Sequence, residues 1–108
     1  MVDFTNLILC DEKTTIAYVY VSASLTKGCF LISGQDIGED LEKYFGKDEH
    51  EYFYAFDKEN TKRLSSLLRK ENADIKKVLL NKFAGLDGCA ALRTFCEKNN
   101  IEYDLSTY

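Results

Sequence analysis

Strand-like and helix-like periodicities occupy separate halves of this chain, and that segregation limits the folds open to it. The strand-like runs come first. Phe4 to Cys10 reads F-T-N-L-I-L-C, and Asp11-Glu12-Lys13 follows as a polar turn. Thr14 to Ala23, T-T-I-A-Y-V-Y-V-S-A, is dense in β-branched and aromatic residues. Two such runs around a short polar link predict a hairpin. In the second run Ile16, Tyr18, Tyr20 and Ser22 share one face, and Ala17, Val19, Val21 and Ala23 share the other. The small aliphatic face suits packing beneath helices. Leu25 to Gly28 is the next expected turn, with Gly28 free to take positive φ. Cys29 to Ser33 is a third strand, ending at Gly34. Glu49 to Phe56 is a fourth, with Glu49, Glu51, Phe53 and Ala55 on one side and His50, Tyr52, Tyr54 and Phe56 on the other.

Helical periodicity takes over at Asp57. Asp57 is placed to cap a helix through about Arg69, with Leu64, Leu67 and Leu68 as its apolar stripe. Asp74 is placed to cap a second, with Ile75, Val78, Leu79 and Phe83 inward and Gly85 as its stop. Asp87 is placed to cap a third, whose Cys89, Leu92, Phe95 and Cys96 share a face. Asn99-Asn100 ends it, and Ile101 to Ser106 alternates as a last strand. A short additional helix is expected over Asp36–Phe45. Asp36 and Glu39 resemble a capping box, Leu41, Tyr44 and Phe45 form an apolar face, and Gly46 suits the C-terminus.

Strands early and helices late predict an α+β fold rather than a doubly wound one. Tight links between the early strands make them antiparallel. The expected architecture is a four- to five-stranded, mainly antiparallel sheet with three to four helices packed mostly on one face. The chain of 108 residues contains no proline and no Gly/Ser linker, so residues 1–108 read as a single domain. The expected core draws on Ala17, Val19, Val21, Phe30, Ile32, Leu64, Leu68, Leu79, Phe83, Leu92 and Phe95.

Composition narrows the function classes. Seven Tyr and seven Phe argue against disorder. The four cysteines, Cys10, Cys29, Cys89 and Cys96, have neither C-x-x-C spacing nor a partnering His pair, and are expected to be free thiols. Met1 is followed closely by Asp3 with no signal-peptide pattern, and no apolar run is long enough to span a bilayer. A cytoplasmic protein with no membrane partner is expected. The net charge of −4 argues against a general nucleic-acid binder. That charge is unevenly spread. Residues 36–60 carry nine acids and three bases, whereas residues 61–82 carry seven bases and two acids. Such asymmetry speaks to partners and steering.

No motif commits the chain to catalysis. His50, the single histidine, lies between Glu49 and Glu51, and a carboxylate–histidine pair can do acid–base work. No Ser or Cys stands in a nucleophile context, however. Asp36-Ile37-Gly38-Glu39-Asp40 lacks the EF-hand pattern, and one histidine with scattered cysteines does not make a zinc site. Gly34 and Gly38 around Asp36 are not a phosphate loop, since there is no lysine and Asp36 repels phosphate. Lys62, Arg63, Arg69, Lys70, Lys76, Lys77 and Lys82 lack interleaved aromatics and read as wet helix faces. No metal, cofactor or catalytic residue is expected.

The segment from Ser33 to Glu59 is left as the binding candidate, because aromatic anchors with a charged rim are the composition of interfaces. Its expected partner-binding residues are Asp36, Glu39, Asp40, Glu42, Asp48, Glu49, Glu51, Tyr52 and Tyr54. The motifs G-Q-D-I-G at 34–38, E-x-x-F with Gly46 at 42–46 and E-H-E-Y-F-Y at 49–54 resemble a group of small acidic bacterial proteins carrying G-Q-D-x-G, F-G and E-Y-E-Y. The similarity continues through the leucine-bearing helix to N-N-I-E-Y-D at 99–104, with His50 where that pattern has Tyr. Proteins of this size and charge are similar to the immunity proteins of bacterial toxin–immunity pairs, including contact-dependent inhibition. That resemblance implies a protein that binds and blocks one toxin domain, often a basic nuclease. It carries over no functional residue. Two alternatives stand beside it: a small enzyme using His50 and neighbouring carboxylates, and a regulatory domain that binds a small ligand.

Overall fold

The turn Lys27-Gly28 sets the central hairpin. A computed structural model describes residues 3–38, 49–68 and 74–108, and in it both turn residues have positive φ, 54° and 77°. A two-residue loop of that kind matches the natural twist of paired strands. It joins β2 (Tyr18–Thr26) to β3 (Cys29–Ile37). Their antiparallel register runs unbroken from Thr26↔Cys29 to Tyr18↔Ile37.

The first strand, β1 (Phe4–Lys13), pairs with β2 less regularly. Its register slips between Phe4 and Leu7 and again between Ile8 and Cys10. The second slip turns two consecutive residues, Leu9 and Cys10, into the core. That is what a bulge does, and it also blunts an exposed edge. The Leu9 carbonyl accepts a hydrogen bond from the Gly85 amide at 2.8 Å. The turn expected at Asp11–Lys13 lies further along the chain. Those residues pair with Tyr20, Val19 and Tyr18, and the chain reverses after them. Thr14 closes that reversal: its hydroxyl accepts from the Ala17 amide at 3.0 Å and donates to the Ala17 carbonyl at 2.9 Å.

β4 (Glu49–Ala55) pairs with β3, and β5 (Asp104–Thr107) pairs with β4, both antiparallel. The sheet order is therefore β1-β2-β3-β4-β5, with α1 (Lys58–Leu68), α2 (Ile75–Phe83) and α3 (Gly88–Lys98) inserted before the last strand. Asp57 caps α1 by accepting from the Asn60 amide at 2.8 Å. Asp74 caps α2 by accepting from the Lys76 amide at 3.1 Å. Asp87 precedes α3 but makes no side-chain cap bond, contrary to expectation.

Two further boundaries differ from the sequence reading. β3 does not stop at Gly34. It runs to Ile37 because it has a strand partner on each side to that point: Tyr18 on β2 and Glu49 on β4. Asp36 is thus a strand residue and not a helix cap, and the rest of the short helix expected over Asp36–Phe45 falls mainly outside the described residues. β5 begins at Asp104 rather than Ile101. Ile101 is instead buried, with its amide bonded to the Cys96 carbonyl at 2.9 Å, so it finishes the α3 turn.

The helices pack on the sheet face that carries Val21, Ala23, Ile32 and Tyr54, and one apolar cluster joins the two layers. Of the expected core, Val19 and Phe95 are half-buried and the others fully buried. The four cysteines are free. Among the described residues no helix is long and apolar enough to cross a membrane.

One buried polar side chain ties the layers together. Thr61 on α1 has no solvent exposure. Its hydroxyl accepts from the Phe30 amide at 3.0 Å and donates to the Phe56 carbonyl at 3.4 Å. Thr61→Val keeps the shape and strands the Phe30 N–H. The expected loss is about 1–3 kcal/mol in urea unfolding, with Thr61→Ser recovering most of it. A neutral Thr61→Val would show that this bond does not hold α1 to the sheet.

Candidate functional site

The pleat of β4 divides the expected binding residues between the two faces of the sheet. Glu49 and Glu51 point to the face without helices. Tyr52 and Tyr54 point to the helix side, where Asp36 joins them from β3. Glu39, Asp40, Glu42 and Asp48 lie outside the described residues.

On the helix side, Tyr52 is opposite Gly34, and its ring lies against that glycine's backbone. A Cβ built on Gly34 would sit 1.9 Å from Tyr52 Cε2, so the close approach needs glycine there. The Tyr52 hydroxyl donates to Asp36 Oδ1 at 3.4 Å. Burial pushes the phenol far above its ordinary value, and the Asp36 carboxylate adds to the shift. Asp36 is also pushed up by burial, against the opposing pull of the Tyr52 hydrogen bond and of His50. His50 is the cross-strand partner of Asp36 and is half-buried. Its ring centroid lies 5.8 Å from that of Tyr52.

Tyr54 is core. It is 3% exposed, opposite Ile32, and its hydroxyl accepts from Arg93 Nη1 at 2.6 Å. This removes Tyr54 from the partner-binding set. Strand alternation put it with Tyr52, and the α3 helix then covered it. The aromatic series continues from Tyr54 to Tyr103 at 5.3 Å and from Tyr103 to Phe56 at 5.5 Å. These rings stiffen β4 from behind.

The chemistry available on this side is limited. Burial pushes the thiols of Cys10 and Cys96 to about 11, and that of Cys89 upward. All three are protonated at neutral pH and are not activated nucleophiles. No cluster of three or more His, Cys, Asp or Glu among the described residues is arranged to hold a metal ion.

Asp36 makes a testable pH signature. Its carboxyl group is raised in the folded state, so its contribution to stability is fully present below the ordinary value of 3.8 and is lost as pH rises through the folded value. Asp36→Asn removes that loss. Relative to wild type, the variant should gain stability between acid and neutral pH, as read from paired urea titrations. A constant or shrinking difference over that window would show that burial does not govern Asp36.

The other face carries Tyr18 and Tyr20 of β2, Ser33, Gln35 and Ile37 of β3, and Glu49, Glu51 and Phe53 of β4. Tyr108 sits beside Glu51, exchanging two backbone hydrogen bonds with it, and stacks edge-on with Phe53 at 5.8 Å. Tyr18, Ile37, Tyr108 and Ile8 of β1 are exposed large side chains. Among the described residues no helix covers this face. Asp11 accepts from the Tyr18 hydroxyl, and Glu49 accepts from Gln35 Nε2. Near its centre, Ser22 and Ser33 are cross-strand partners among larger neighbours and leave a shallow hollow of about 220 Å³.

No family model, curated protein or solved structure matches this chain.

Two other grooves are built from residues already engaged in the fold. One, of about 360 Å³, is lined by Asp57, Asn60, Glu102 and Asp104. There Asp57 caps α1, while Asn60 donates to Asp57 and accepts from the Glu102 amide at 2.9 Å. The other lies beside α3 and includes Arg93, the partner of Tyr54. The open face is therefore the candidate surface. Sequence reasoning placed Glu49 and Glu51 in it but missed Tyr18, Tyr20, Ile37 and Tyr108. The signal for the two β2 tyrosines was present in the Ile16-Tyr18-Tyr20-Ser22 alternation, which marks the face opposite the aliphatic one.

Proposed function

We propose that this protein binds a basic protein partner across the open face of its sheet and blocks it, in the manner of an immunity protein acting on a toxin domain such as a nuclease. One observation carries the reading: a sheet face that no helix among the described residues covers sets Tyr18, Tyr20, Ile37, Phe53 and Tyr108 among Asp11, Glu49, Glu51 and Asp104. Aromatic and aliphatic side chains supply anchors in such an interface, and the acids select a partner of opposite charge. We take the partner as basic because, among the described residues, Lys13 is the sole lysine beside those acids on the face. Tyr52 and Asp36 contribute from behind, by holding β4 in place.

The test is binding kinetics against the product of the adjacent gene, at low and high salt. Complementary charge acts mostly on association. Glu49→Gln with Glu51→Gln should slow association by about tenfold, and added salt should slow the native protein in the same direction. Tyr108→Ala should speed dissociation instead. A native-like association rate in the double variant, with no salt dependence, would falsify the open face as the docking surface.

A further inference from the structure

The centre of the open face has a shape and chemistry more specific than a general acidic patch. Ser22 and Ser33 are side by side on β2 and β3, and Phe53 follows on β4. The next row is Tyr20, Gln35 and Glu51 on the same three strands. Two small residues between aromatic rings produce the hollow of about 220 Å³. Glu49 accepts from Gln35, whereas Glu51 has no side-chain hydrogen bond or ion pair among the described residues. A half-buried carboxylate with no donor among the described residues thus lies at the rim of a cavity that Tyr20 and Phe53 also line.

We infer that this hollow is a receptor for one arginine side chain of the protein partner, an inference that rests on the docking reading above. Three features select a guanidinium. Glu51 offers two carboxylate oxygens to the planar fork of N–H donors. Tyr20 and Phe53 stand two strands and one row apart, about 12 Å on the diagonal at the usual strand and residue spacings. A cation midway between them is within about 6 Å of both rings, the range of cation–π attraction. Ser22, Ser33 and the free carbonyl oxygen of Gln35 can accept the remaining N–H groups. A lysine ammonium is compact and strongly hydrated, so it uses the carboxylate but gains less from two flanking rings.

The experiment is a nitrogen-15 amide titration of the full chain at low salt with acetyl-Gly-Arg-Gly-amide. Its citrulline counterpart, neutral and nearly isosteric, is the control. Saturable shifts should centre on Ser22, Ser33, Glu51 and Phe53, with citrulline at least fivefold weaker and lysine between the two. Glu51→Gln should lose the arginine preference, and Ser33→Leu should fill the hollow and abolish the shifts while the rest of the spectrum keeps its dispersion. Equal shifts from arginine and citrulline, shifts centred elsewhere, or an undiminished response in Glu51→Gln would overturn the inference. The two proposals separate cleanly. If the peptide binds as described but the face variants leave partner association unchanged, the hollow stands and the docking reading falls. If the partner needs the face but the peptide gives no shifts there, the docking reading stands and the arginine receptor falls.

Discussion

Leu92→Ala should lower the unfolding free energy by about 2–5 kcal/mol, the usual range for emptying a leucine site in a closed core. Leu92 is 1% exposed and lies in the middle of α3. Its neighbours on that face are Cys96, which is fully buried, and Cys89 and Phe95, which pack against the same cluster. The sheet beneath is backed by Tyr54 and Tyr103, whose rings lie 5.3 Å apart, so the site has little freedom to collapse. Leu86→Ala is the internal control. Leu86 is 52% exposed and precedes the helix, so the same deletion there should cost less than about 0.5 kcal/mol. Urea unfolding of both variants gives the comparison. Equal losses at the two sites would mean that α3 does not present Leu92 to the core.

Gly88→Ala should also destabilise, although helix propensity alone points the other way. In an open helical position the change is worth up to about 1 kcal/mol of added stability. Gly88 is buried at the start of α3, and a Cβ there would lie 1.9 Å from the Phe83 carbonyl oxygen at the end of α2. That overlap involves backbone, so no side-chain rotation relieves it. The two helices must separate at their junction, and overpacking of this kind costs about 1–3 kcal/mol. The steric term should win, giving a lower urea midpoint with an unchanged slope. A higher midpoint would mean that the approach of α3 to the last turn of α2 is looser than described.

Much of the fold was legible because local physics left few choices. The alternation in Tyr18–Ala23 separated a tyrosine face from an aliphatic face, and the aliphatic side alone could accept helices. Asp57 and Asp74 could satisfy orphan amides at the helix starts. Asp87 looked equivalent, yet its φ of −93° and ψ of 4° lie outside the extended geometry usual for a cap, and no side-chain bond forms. Leu9 and Cys10 buried in succession were not legible, since a bulge breaks the period of two from which strand faces are read.

The candidate site divides along the same line. Charge counting found the acidic concentration in residues 36–60, and alternation placed Glu49 and Glu51 opposite Tyr52 and Tyr54. Composition alone grouped all four as one surface. Tertiary packing decided otherwise: α3 covers Tyr54, Gly34 admits the Tyr52 ring, and Asp36 extends a strand where a helix cap was expected. It also brought Tyr20, Glu51 and Phe53 around two serines, from strands that are remote in sequence. By itself the sequence determined the α+β class, the antiparallel pairing of the early strands and most of the core, because these follow from periodicity and turn chemistry over a few residues. Only the tertiary structure decided which face of β4 the described helices cover and which they leave open, because that depends on where the helices return to the sheet, and a helix's direction of return is set by long-range packing.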